Sequence, residues 1–132
     1  MAKLRHIALS VPDPHKSAKF YSQAFGMEIV GEANSATATG VYLSDGTVSL
    51  ALLKYRTDAP AGPRGKDFVG LHHVGFLCDD LEAQSRVVEQ SGATIFQDVP
   101  AAKTTEYYEK KYTDPDGIIF DITHSGWQGA QK

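Results

Sequence analysis

Two histidines and one aspartate carry the chemistry-bearing pattern of this chain. His6 opens the stretch His6-Ile7-Ala8-Leu9-Ser10-Val11-Pro12-Asp13, and His73 opens His73-Val74-Gly75-Phe76-Leu77-Cys78-Asp79-Asp80. Each is a histidine, an apolar run and an aspartate seven positions on, and the second copy stands 67 positions after the first. Strand alternation puts His6 on one face with Ala8 and Ser10, and Ile7, Leu9 and Val11 on the other. His73 likewise shares a face with Gly75 and Leu77. Near the end, Asp121 alternates with Phe120 and Ile122, which suit a helix-covered face, so the carboxylate points where the histidines point. A buried, unpaired carboxylate is costly, and a cation would resolve the cost. Two imidazoles and a carboxylate form a facial triad with open coordination positions, open to Fe, Mn, Co, Ni or Zn.

Register extends the set. Asp114-Pro115-Asp116-Gly117 fits a type I turn with a G1 bulge, a three-residue loop that pairs Asp114 with Ile118 and therefore Lys111 with Asp121. Tyr107, Glu109 and Lys111 then face the same cavity as acid/base candidates, and Tyr112 packs on the opposite face. The same pairing logic puts Tyr42, Leu50 and Leu52 on the cavity wall, which fits an aromatic or acyl substrate. His72 is expected to point away from His73, and Trp127 either folds back on the body or packs in a dimer contact.

The elements that position these residues occur twice. Asp13-Pro14 and Asp80 are helix N-caps, with helices ending near Gly26 and Gly92. Strand patterns over 4–11, 27–31, 39–43 and 47–55 give β-α-β-β-β, and 71–78, 94–97, 107–113 and 118–124 with the second helix repeat it. The predicted class is α+β: two tandem βαβββ modules forming a curled mixed sheet, a cup with helices on its outer face. The modules are placed at 1–55 and 68–124. Residues 56–67, rich in Pro and Gly, form a linker or lid loop, and 125–132 a C-terminal tail.

Composition narrows the class. A hydrophobic fraction of 42% with 22% charged residues is globular rather than disordered. A net charge of −3 with no basic stripe argues against nucleic acid. Cys78 is the single cysteine, which suits a reducing cytoplasm. No run reaches membrane-spanning length, and no leader peptide is recognised at the N-terminus.

The paired modules, the strand histidines His6 and His73, FYSQAFGMEIV at 20–30 and DPDGIIFDI at 114–122 resemble the vicinal oxygen chelate superfamily over about residues 4–124. That group includes glyoxalase I, methylmalonyl-CoA epimerase, extradiol dioxygenases, fosfomycin-resistance transferases and bleomycin-binding proteins. The resemblance implies metal positions at His6, Leu50, His73 and Asp121. Leu50 stands where glyoxalase I and the epimerase have a glutamate, and leucine can be neither ligand nor base. Asp121 replaces the usual, longer glutamate. The extradiol signature fails at two places, with Lys111 ten positions before the carboxylate where those enzymes have tyrosine, and Ala102 where they have a second-shell histidine. The Ser/Gly-rich cation loop of the fosfomycin transferases has no counterpart at 103–108. The resemblance therefore implies a metal-dependent, glyoxalase- or dioxygenase-like enzyme, a lyase, isomerase or dioxygenase, acting on a small oxygen-bearing substrate, as a homodimer. The alternative is a non-catalytic small-molecule-binding protein of the bleomycin-resistance kind.

Overall fold

A computed structural model describes the backbone of residues 1–99 and 108–132, with side chains described outside 98–107. Elements follow in the order β1 (Lys3–Ser10), α1 (Pro14–Phe25), β2 (Glu28–Asn34), β3 (Ala38–Ser44), β4 (Ser49–Tyr55), α2 (Asp58–Ala61), β5 (Gly70–Leu77), α3 (Leu81–Gln90), β6 (Thr94–Val99), β7 (Glu109–Thr113) and β8 (Ile119–Thr123). One eight-stranded sheet runs β2-β3-β4-β1-β5-β8-β7-β6. It is mixed: β1 is parallel to β4 and β5 to β8, while β1 and β5 meet antiparallel at the centre. The two βαβββ units thus join along the two histidine strands.

Local chemistry sets the helices. The Asp13 carboxylate accepts from the Lys16 amide at 3.1 Å and Asp80 from Ala83 at 2.9 Å, caps worth about 1 kcal/mol each. Gly26 ends α1 in the left-handed region at φ 69°, which glycine adopts without strain. Ala18 and Tyr21 of α1 pack on Ile7, Leu9, Val41, Leu43, Leu50 and Leu52. Burying a leucine such as Leu43 or Leu52 contributes roughly 1.5–3 kcal/mol. Leu81 and Val88 of α3 pack on Tyr112, Phe120 and Ile122. Both helices cover one face of the sheet, leaving His6, Ala8 and Ser10 on the other.

Residues 56–67 carry more structure than a plain linker. The single turn α2 buries Ala61 against Tyr55, and Asp58 accepts from the Lys66 amide at 2.9 Å. No helix among the described residues is long and apolar enough to cross a membrane.

Candidate metal centre

Three donors converge at the floor of the concave face. His6 comes from β1, His73 from β5 and Asp121 from β8, and they are 3%, 2% and 0% exposed. One ligand atom from each lies within 4.8 Å of the others, the only such group of three among the described residues. Two donors each about 2.0–2.2 Å from one ion stand at most about 4.4 Å apart, close to this bound. A cavity of about 300 Å³ opens above them, lined also by Tyr42, Ser49, Ala51, Leu53, Glu109 and Lys111, with Trp127 at one side.

The state of each donor follows from its surroundings. Burial, and then the neighbouring His73, hold the His6 pKa down to about 3, so its imidazole is neutral at neutral pH and keeps a lone pair. Burial alone would raise the Asp121 pKa. His73 and Lys111 outweigh that and hold it well below the usual carboxylate range. Lys111 Nζ donates to both Asp121 oxygens at 2.8 Å and lies 3.2 Å from a Glu109 oxygen. Burial opposes the charge on Lys111, but Asp121 and Glu109 raise its pKa well above the ordinary lysine value.

The hydrogen bonds around His73 orient its ring. His72 Nε2 lies 2.6 Å from the Ala61 carbonyl, which only accepts, so that nitrogen carries the proton. Burial, partly offset by that bond, holds the His72 pKa near 4, so the ring is neutral and Nδ1 accepts. The 2.8 Å contact between the two Nδ1 atoms is then His73 donating to His72. His73 Nε2 contacts an Asp121 oxygen at 3.1 Å and faces the other donors, so a bound ion would take the place of that direct contact. Fixing a ligand ring through its second nitrogen is how outer partners orient metal-binding histidines. A neutral imidazole, an oriented imidazole and an ionised carboxylate are donors that fit a divalent cation, which would have to displace Lys111 from at least one of the Asp121 oxygens it now holds.

Register explains where expectation and structure agree. Lys111 pairs with Asp121, and the Asp114 amide donates to the Ile118 carbonyl, as a three-residue loop requires. Glu109 and Lys111 line the cavity, and Tyr112 is fully buried on the helix side. Tyr42 also lines the cavity. Tyr107 and Ala102 lie outside the described residues.

Two expectations need correction. Leu50 and Leu52 do not face the cavity; they sit in the cluster beneath α1. The β3–β4 hairpin closes on the pair Ser44 and Ser49, with four residues between, one more than separates Asp114 from Ile118. A shift of one residue exchanges the faces of a strand. Ser49, Ala51 and Leu53 therefore line the cavity. Ala8 pairs with Ala51 as Gly75 pairs with Asp121, so alanine, not Leu50, is the internal counterpart of the carboxylate. It has no donor either.

His72 is the second correction. Ala8 pairs with His73 and Leu9 with Leu71, which leaves His72 as an extra, bulged residue. A bulge breaks alternation and re-aims a side chain, so the His72 ring turns back to His73 and packs at a 37° tilt against Tyr55, 4.7 Å between ring centres. Ser49 Oγ, 3.4 Å from His6 Nδ1, and Trp127, stacked on His6 at 4.7 Å, were missed as site residues. Counting the first hairpin's length finds Ser49. No periodicity points to the place of Trp127.

Residues 3–122 match the Glyoxalase/Bleomycin resistance protein/Dioxygenase superfamily, and the chain belongs to that superfamily. Among curated proteins it is similar to glutathione transferase FosA of Serratia marcescens, 28% identical over 133 aligned positions, covering 99% of this chain and 86% of that protein. Its fold matches a variant methylmalonyl-CoA epimerase of Streptomyces coelicolor bound to 2-nitronate-propionyl-CoA. The TM-score is 0.74 at 19% identity, over 92% of this chain and 96% of the other. It also matches a variant of 4-hydroxymandelate synthase from Streptomyces coelicolor. There the TM-score is 0.74 at 14% identity, over 98% of this chain and 40% of that one.

Proposed function

We propose that the protein is a metal-dependent vicinal oxygen chelate enzyme whose divalent cation is held by His6, His73 and Asp121. The carrying observation is the convergence of three buried donors within 4.8 Å beneath an open cavity. A bound cation supplies Lewis acidity to two neighbouring oxygens of a small substrate. The chain's own residues do the rest. Tyr42, Ala51 and Leu53 form a largely apolar wall that suits an aromatic or acyl body. Glu109 accepts a proton from a substrate carbon or water, and Lys111, released from Asp121, returns one or neutralises developing negative charge.

Three reaction classes are set by the relatives' names: transfer of glutathione, epimerisation and dioxygen chemistry. Reconstitution with Fe(II), Mn(II), Co(II), Ni(II) and Zn(II), followed by three assays, sorts them. These are glutathione addition to an electrophile, epimerisation of methylmalonyl-CoA tracked by hydrogen exchange at its α-carbon, and oxygen uptake with catechols under reducing conditions. Activity in one assay that needs added metal and disappears in His6→Ala supports the reading. Inactivity of every metal form leaves the enzyme reading without support.

A second reading is favoured by the Lys111–Asp121 contact. The ammonium already neutralises the buried carboxylate, so the same cup would hold an aromatic or hydrophobic molecule without any ion. Ligand binding unchanged by chelator, with no metal retained, would establish it.

A further inference from the structure

Residues 125–132 leave β8 in the second βαβββ unit and cross to the first. Ser44 Oγ donates to the Gly129 carbonyl at 2.7 Å, the Gln131 amide donates to Thr47 at 3.0 Å, and Arg5 Nε donates to the Gln131 carbonyl at 2.9 Å. Ser44 and Thr47 belong to the β3–β4 hairpin and Arg5 to β1. The Ala130 amide bonds back to the Trp127 carbonyl at 3.0 Å, closing a turn that aims the indole inward. Close approaches at two glycines seat the segment: a Cβ on Gly129 would lie 2.7 Å from Ser44 Cβ, and one on Gly31 2.5 Å from Gln128 Oε1.

The turn lays Trp127 flat on His6. The ring centroids are 4.7 Å apart and the planes differ by 3°. The space comes from Gly75, where a Cβ would stand 2.6 Å from Trp127 Cζ2 and 2.9 Å from His6 Cβ. The room left by the small residue on the His73 strand is thus filled by the indole. The His6 ring meets Ser49 Oγ only at a long 3.4 Å and the tilted His73 ring at 5.3 Å, so the closer, coplanar stack on Trp127 is the main constraint on its plane. His6 and Trp127 come from opposite ends of the chain.

We propose that Trp127 is the positioning residue for His6, and that residues 125–132 act as a strap that completes the three-donor site within one chain. A stacked aromatic fixes the imidazole plane and excludes water from one side of it. Without it, His6 would sample rotamers that carry its donor away from His73 and Asp121. The effect on metal affinity rests on the proposed metal reading; the stack itself does not.

The experiment has two arms on the full chain. In the metal-free protein, NMR reads the carbon-bound protons of the His6 ring. Wild type and Trp127→Phe show ring-current shifts upfield, and Trp127→Ala moves them to ordinary values. Co(II) titration then follows visible d–d absorption. Trp127→Ala binds about tenfold more weakly with an altered spectrum, and Trp127→Phe restores affinity and spectrum. Unshifted His6 protons in the wild type would overturn the proposal, as would Co(II) affinity and spectrum in Trp127→Ala matching the wild type. If the wild type shows the shifted protons but takes up no Co(II), the metal reading and the proposed role in metal binding fail, while the stack stands.

Discussion

Lys111 stands opposite Asp121 on the neighbouring strand, and its ammonium nitrogen lies 2.8 Å from each of the two carboxylate oxygens. The carboxylate is fully buried, so the lysine and a bound ion would compete for it. This sets opposite expectations for stability and affinity at one position.

Lys111→Met removes the competitor and leaves Asp121 uncompensated apart from His73. Metal-free Lys111→Met is expected to lose about 3 kcal/mol of stability, the usual cost of breaking a buried pair. Its affinity for Zn(II) or Mn(II) should rise, and saturating metal should recover most of the loss. Thermal melts with chelator and with metal check this. A melting temperature as low with metal as without would sink it.

His72→Phe keeps an aromatic ring on the bulge but removes the acceptor of the His73 Nδ1 proton. Metal affinity should fall by roughly 10–100-fold, as for other outer partners of metal-binding histidines. The test is isothermal titration with Zn(II). Affinity within twofold of wild type would show that His72 does not orient His73.

Gly75→Ala drives a methyl group into Trp127 and His6 at once. Overpacking of this kind costs about 1–3 kcal/mol. Trp127 is the single tryptophan of the chain, so its emission reports the displacement directly. A red shift accompanied by weaker metal binding is expected; an unchanged spectrum would mean the strap tolerates the methyl group.

Glu109→Gln keeps the size of the side chain and removes its charge beside Lys111. In whichever assay shows metal-dependent turnover, kcat should fall by about 10²–10⁴, the range for losing a general base, with metal affinity nearly unchanged. Equal losses in kcat and in metal binding would make Glu109 a support of the site rather than a proton carrier.

Duplication made most of the fold legible. The repeated histidine strands and capping aspartates define two βαβββ units, and alternation separates the helix face of β1 and β8 from the cavity face. The second hairpin was legible because its turn residues specify a three-residue loop, which fixes Lys111 against Asp121. The first hairpin has Asp45-Gly46 but closes one residue wider, and that single residue moved Leu50 and Leu52 to the helix side. His72 was misjudged for a related reason: alternation fails at a bulge, and nothing in Leu71-His72-His73 marks one. The place of Trp127 depends on hydrogen bonds from Ser44, Arg5 and Gln131 that join distant parts of the chain, a relationship no local pattern carries.

His6, His73 and Asp121 are proposed to hold one divalent ion. Equilibrium dialysis of chelator-stripped protein against Zn(II), Mn(II), Co(II), Ni(II) and anaerobic Fe(II), with elemental analysis of wild type, His6→Ala and Asp121→Ala, tests it most directly. About one ion per wild-type chain is expected for at least one metal, with at least tenfold weaker uptake by both variants. Wild-type protein that retains no more of any metal than Asp121→Ala would contradict it.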